Sequence, residues 1–271
     1  MIKPTLKLNR STLVIISGCV LLLVSFGIRH SSGLYLIPIS DHLMTGREVF
    51  GFAVAIQFLM IGFGSPLFGA IADKYGSSKA ALYGVILLII GLYAMSYVQS
   101  SMDIIIAQAI FGLGSAGCGT AVVLGAVGKA VDEKNRTLSL GIVMAAGSLG
   151  QFLIVPFAGF LIGISGWVQS IIYLCLLSSI MLVFCFSLTL PSTNKSDIPS
   201  NARSLKSVID EAFANKSYNL LTLGFFVCGF HVSFVATHLP AYLEDISLPI
   251  WIGSWSLALI GLFNVFGTLM F

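Results

Sequence analysis

The chain has 271 residues, of which 57% are hydrophobic and only 9% charged, with a mean hydropathy of +0.99. A water-soluble fold of this length needs more charge to keep its surface wet, so a soluble domain is excluded, whereas the apolar core of a bilayer removes that demand. The 14 Lys and Arg against 11 Asp and Glu leave a formal +3, an excess that matters less than where the charges sit; no nucleic acid is expected as a partner.

Apolar runs long enough to cross a bilayer as helices occur at roughly 12–38, 49–72, 80–98, 104–128, 138–164, 168–190, 218–240 and 250–271, eight predicted spans. Inside lipid the backbone must satisfy its own hydrogen bonds, so the expected class is an all-α membrane protein. Frequent glycines and the prolines Pro66 and Pro156 fit this, because small residues allow close helix approach and kinks are tolerated in membranes. The basic N-terminus followed by span 1 has the outline of a secretory signal. The run is too long for one, and no small-residue cleavage site precedes the next polar loop, so a retained first helix is expected.

Basic residues set the expected orientation. Lys3, Lys7 and Arg10 precede span 1, Lys74 and Lys79 follow span 2, and Lys129, Lys134 and Arg136 follow span 4. Lys195, Arg203, Lys206 and Lys216 lie between spans 6 and 7, so twelve of the 14 fall on one side. Arg47 is alone on the other, and Arg29 lies within span 1. The positive-inside rule then predicts a multi-pass protein of the cell inner membrane with a cytoplasmic N-terminus. The Asn-x-Ser/Thr triplets at Asn9, Asn135, Asn194 and Asn215 all fall on that side, so none is expected to carry glycan.

The one long loop, 191–217, opens with Pro191, Ser192, Thr193 and Asn194 and reads as a linker. In its second part Leu205, Val208, Ile209, Ala212 and Phe213 recur at helical spacing opposite Lys206, Asp210 and Glu211, which predicts a short amphipathic helix at the inner surface. The expected domains are a six-helix bundle (1–190), this linker, and the first two helices of a second bundle (218–271). Cys19, Cys118, Cys175, Cys185 and Cys228 all sit in apolar stretches without CxxC spacing, so neither disulfides nor structural zinc is expected.

After span 2 the chain places Gly69, Asp73, Lys74, Gly76 and Lys79 at the spacing of the signature loop G-x-L-A-D-R/K-x-G-R/K-R/K, and it thereby resembles the major facilitator superfamily. Serines at 77 and 78 thin the trailing positive charge. Span 4 carries Gln108, Gly112 and Gly114 where many members have Arg-x-x-x-Gly-x-Gly, so the proton-coupling role of that arginine does not carry over. Gly147, Gly150 and Pro156 are similar to the family's glycine- and proline-bearing fifth helix. The stretches 26–40 and 229–240 resemble bacterial monocarboxylate-transporter-like and oxalate/formate-antiporter-like members. The resemblance implies a twelve-helix fold of two bundles, and at Asp73 and Lys74, with Gly69 and Gly76, a gating role at the cytoplasmic surface.

An internal repeat points the same way. Arg29 and Pro38 stand in the register of His231 and Pro240, and Gly51 in that of Gly253, with one constant offset. On that offset Phe271 falls opposite Gly69, so a second signature loop is expected beyond it and the chain reads as C-terminally truncated.

Arg29 is the leading candidate for substrate binding. A guanidinium in mid-span costs about 2.5–3.5 kcal/mol on insertion scales and normally faces protein or a watery cavity. Its neighbours at one-turn spacing, Ser25, Ser32 and Gly33, make a small polar face, and the fork suits a carboxylate. The alternative is a structural pair on another helix, or a side chain snorkelling outward. His30 and His231 are further substrate-binding candidates, and since no Asp or Glu lies well inside a span, His231, His238 and His30 are also the available proton carriers if transport is proton-coupled; packing roles are the alternative. Gln57 and Asn264, with Gln108 and Gln151, are either substrate ligands or interhelical bonds. Tyr35, Phe225 and Phe226 could line a pocket.

The literal GxGxxG at 112–117 lies inside a membrane helix with no preceding strand, so close packing explains it, and no Walker loop is present: neither nucleotide nor other cofactor is expected. No nucleophile–base–acid set points to an enzyme. The expected function is secondary transport of a small organic anion, a monocarboxylate in the narrower reading, by alternating access driven by an ion or substrate gradient. The alternatives are an exporter of drugs or neutral metabolites, and a non-transporting membrane fragment or partner subunit.

Overall fold

The structure, a computed structural model, describes residues 10–188 and 205–270, with the side chains of 205–209 outside the described set. It is built from helices: α1 (Arg10–His30), a 3-10 turn (Ser32–Tyr35), α2 (Leu36–His42), α3 (Arg47–Tyr75), α4 (Ser77–Met95), α5 (Ser101–Gly117), α6 (Thr120–Ala130), α7 (Glu133–Ser187), α8 (Leu205–Ala214), α9 (Lys216–Asp245) and α10 (Ile250–Met270). There is no strand among the described residues.

Two predicted spans are each broken into pieces. Span 1 is α1, the 3-10 turn and α2 in succession; span 4 is α5 and α6, interrupted at Cys118 and Gly119. Spans 5 and 6 are the two halves of α7, parted at Gly166, whose φ of 81° and ψ of 168° only glycine adopts readily. The chain doubles back there, bringing the Ser170 hydroxyl 3.4 Å from the Ala158 carbonyl. With α7 counted twice, the described helices cross eight times, in agreement with the hydropathy reading.

Glycine seams set how closely these helices pack. Lipid gives apolar side chains no reason to prefer a neighbouring helix, so association rests on close van der Waals fit. A Cβ on Gly27 of α1 would stand 2.6 Å from the Gly150 carbonyl of α7, and one on Gly84 of α4 would stand 2.6 Å from the Gly117 Cα of α5. Between them, α1, α4, α5 and the two halves of α7 enclose Leu21, Leu22, Leu88, Ile104, Phe111, Leu174 and Met181, each under 2% exposed.

The last two helices attach differently. α10 lies along α7, with Ser254 against Gly159, Gly261 against the Ser148 carbonyl, and Gln151 Nε2 donating to the Leu257 carbonyl at 2.9 Å. α9 touches the first bundle only near its C-terminal end, where Gly33 of the 3-10 turn sits against the Ala236 and Thr237 carbonyls. From Lys216 to Val232 its side chains are exposed. The short helix predicted after the linker is α8. The Leu205, Val208 and Ile209 side chains of its apolar face, like Lys3, Lys7, Lys195, Arg203 and the Lys206 side chain, lie outside the described set.

Candidate functional site

Arg29 closes the last turn of α1, just before the helix breaks into the 3-10 turn. Its guanidinium carbon lies 4.3 Å from the Phe26 ring centroid, one turn back, and 5.9 Å from that of Phe58 on α3. Its Nε is buried and has no hydrogen-bond partner, and no carboxylate pairs with it among the described residues. Two aromatic faces thus hold this cation in place of an acid. Ser25 Oγ, one turn earlier, is also buried without a partner. His30 is 8% exposed and meets Phe26 edge-on at 6.3 Å. Tyr35 is turned to a structural task, its hydroxyl 2.8 Å from Ser170 Oγ.

Gln57 of α3 and Gln108 of α5 are fully buried, and none of their four side-chain polar atoms has a partner. They share one seam: a Cβ on Gly112, one turn beyond Gln108, would stand 3.0 Å from Gln57 Cα. Gln151, by contrast, is the α7–α10 bond described above. His231 and Asn264 are exposed on α9 and α10, and no hydrogen bond, ion pair or ring contact links either to Arg29 among the described residues. His238 lies 5.0 Å from the Phe234 ring, tilted 42° to it, and faces Gly51 of α3, with Cε1 3.6 Å from where a Cβ would stand. Phe225 and Phe226 are exposed on α9.

At the other end of the bundle, Asp73 in the last turn of α3 accepts a hydrogen bond from Lys129 Nζ of α6 at 2.6 Å. Lys74 turns away onto the Tyr75 ring at 5.1 Å. Gly76 joins α3 to α4 at φ 98°, ψ 144°, a conformation that costs any other residue dearly, which explains the second glycine of the signature. Gly69 has open space on its Cβ side. Sequence reasoning counted Lys129 only as a topology marker. An acid ending span 2 and a base ending span 4 on one membrane face was the signal available for the pair.

A second ion pair went unread. Arg47 Nη1 and Nη2 donate to Asp245 Oδ2 and Oδ1 at 2.6 and 2.7 Å, joining the first residue of α3 to the last of α9. Arg47 is the one base on its side of the membrane in the sequence, and that isolation was the signal available for its pair.

Membrane-length helices following one another through the chain, an unneutralised cation within a span and an ion-paired helix end after the second span define a polytopic membrane protein of the transporter class. A family model described as Major Facilitator Superfamily matches residues 17–271, and the chain belongs to that family of transporters, which are not enzymes. It is 30% identical over 122 residues to the vesicular acetylcholine transporter of Torpedo marmorata, covering 44% of this chain and 24% of that protein. It is 22% identical over 148 residues to monocarboxylate transporter 11 of Mus musculus, covering 53% of this chain and 32% of that one. The stretches matched therefore span a third or less of these relatives' length. The fold is similar to that of the E. coli xylose transporter in a partially occluded inward open conformation, with a TM-score of 0.68 at 13% identity over 94% of this chain and 71% of that one.

Proposed function

We propose that the chain forms the solute pathway of a secondary transporter in the cell inner membrane, N-terminus cytoplasmic, that carries a small organic anion, most narrowly a monocarboxylate, by alternating access driven by an ion or substrate gradient. The observation that carries this reading is Arg29: a guanidinium inside an apolar span, with no carboxylate beside it and a buried, unpartnered Nε. A cation left so costs several kcal/mol less once an anion supplies its counter-charge and fills its donor fork. His30 stands next to it. Gln57 and Asn264 are neutral ligands in this scheme, and His231 and His238 carry protons if coupling is to H+. Gly69, Asp73, Lys74 and Gly76, now with Lys129, form the gating loop at the cytoplasmic end.

Arg29→Ala is expected to abolish uptake while membrane insertion, read by protease protection of the loops, stays intact. Unchanged uptake kinetics would remove the substrate role. The second reading, an exporter of drugs or neutral metabolites, is favoured by the 4.3 Å stacking on Phe26, which gives the guanidinium a structural partner of its own. Competition by short carboxylates separates the two: inhibition supports the anion carrier, and its absence supports the exporter. A membrane fragment that assembles with a partner subunit predicts transport only when that second chain is supplied.

A further inference from the structure

From the Arg47–Asp245 pair we infer that the ends of α3 and α9 carry a latch, which biases the molecule toward the state in which that end of the solute pathway is shut. The pair joins residues 198 apart, one from each bundle, through a two-bond fork. A guanidinium and a carboxylate meet in this planar way only within a narrow range of positions, so the contact reports and favours one relative placement of the two helix ends. Asp41 and Glu244 add negative charge around Arg47 and strengthen its preference for this corner.

Three further contacts are confined to the same end. Gly33 sits against the Ala236 and Thr237 carbonyls, His238 covers Gly51, and Thr237 is only 5% exposed. Towards the Asp73 end, α9 makes no such contacts, and Lys216 through Val232 stand exposed. Among the described residues, the contacts of α9 with the 3-10 turn and α3 therefore gather at the Arg47 end. If the Arg47 end is the external one, as the distribution of basic residues implies, this is the externally closed state.

Opening that end has to pull α9 from the 3-10 turn and α3, and the first bond to break is the fork. Both side chains are about half exposed (47% and 48%), so salt and water screen the pair. It therefore biases the equilibrium and does not lock it. A two- to fivefold change in the ratio of closed to open states is the size that an exposed pair supports. The inference rests on the alternating-access part of the proposed function but not on the nature of the solute.

The test uses the full chain in proteoliposomes, with Cys19, Cys118, Cys175, Cys185 and Cys228 replaced by serine or alanine and Thr237→Cys as a reporter of opening. A membrane-impermeant maleimide is expected to label it slowly in the parent. Arg47→Ala and Asp245→Asn each raise the rate about two- to fivefold at unchanged melting temperature, and the exchange Arg47→Asp with Asp245→Arg restores the slow rate. High salt speeds the parent and leaves the single variants unmoved. Single variants that label at the parent rate, or an exchange that labels as fast as they do, would overturn the latch. If Arg47→Ala fails to fold, Asp245→Asn read against the exchange decides alone. Since labelling needs no transport, failure here is distinct from failure of the Arg29 prediction.

Discussion

At the scale of single residues, the buried cation and the buried amides make different demands. Arg29→Lys keeps the charge but loses the planar fork, so it is expected to lower affinity for a carboxylate solute while retaining some uptake, measured as a rise in KM. Gln57 and Gln108 leave four polar atoms unpaired inside the α3–α5 seam, and an unsatisfied buried group costs about 1–3 kcal/mol. Gln57→Leu should therefore leave thermal stability unchanged or raise it by a few degrees. A drop in melting temperature that Gln108→Leu reverses in the double variant would show that the two amides bond to each other. Arg29 was legible in the sequence because a charge in an apolar run is conspicuous. That Gln57 lies against Gly112, one turn beyond Gln108, was not, since the two helices are far apart in sequence and nothing in either pattern announces the other.

At the scale of helices, glycine spacing decides distance. On Gly150 of α7 a Cβ would collide with the Leu23 carbonyl of α1, whereas Gly163 further along the same helix has nothing within 4 Å. Gly150→Ala should force α1 and α7 apart, cost about 1–3 kcal/mol and lower the yield of folded protein. Gly163→Ala should do neither and gain slightly from helix propensity; yield and melting temperature in detergent check both. Hydropathy placed all eight crossings to within a few residues, because span length is fixed by the bilayer. It did not show the interruptions at Ser32–Tyr35 and Cys118–Gly119. The residues there are as apolar or small as their neighbours, and the backbone yields to contacts that the other helices supply.

At the scale of the whole molecule, two ion pairs stand at opposite ends. Lys129–Asp73 joins α6 to the last turn of α3, and Arg47–Asp245 joins the first turn of α3 to the end of α9. Asp73→Asn is expected to slow uptake severalfold without loss of solute binding, because it loosens the signature loop and leaves Arg29 untouched; binding and initial rates on the same preparation separate the two. His231→Gln should flatten the pH dependence of uptake if that histidine carries the proton, and an unchanged profile would assign the task elsewhere. The repeat suggested that His231 has the standing in α9 that Arg29 has in α1. The structure shows the two unequally covered, since the first bundle surrounds α1 on several sides and α9 meets it only near its C-terminal end.

The line where α10 lies along α7 has its own consequence. Ser254 against Gly159, Gln151 bonded to the Leu257 carbonyl and Gly261 against Ser148 follow one another over two turns of α10, and under alternating access this line would serve as an axle. Rotation about an axle that keeps its contacts throughout changes the height of the barrier between states and leaves their ratio alone. A larger side chain at Gly261 would meet the Ser148 carbonyl and force α10 off α7, so this line tolerates no added bulk.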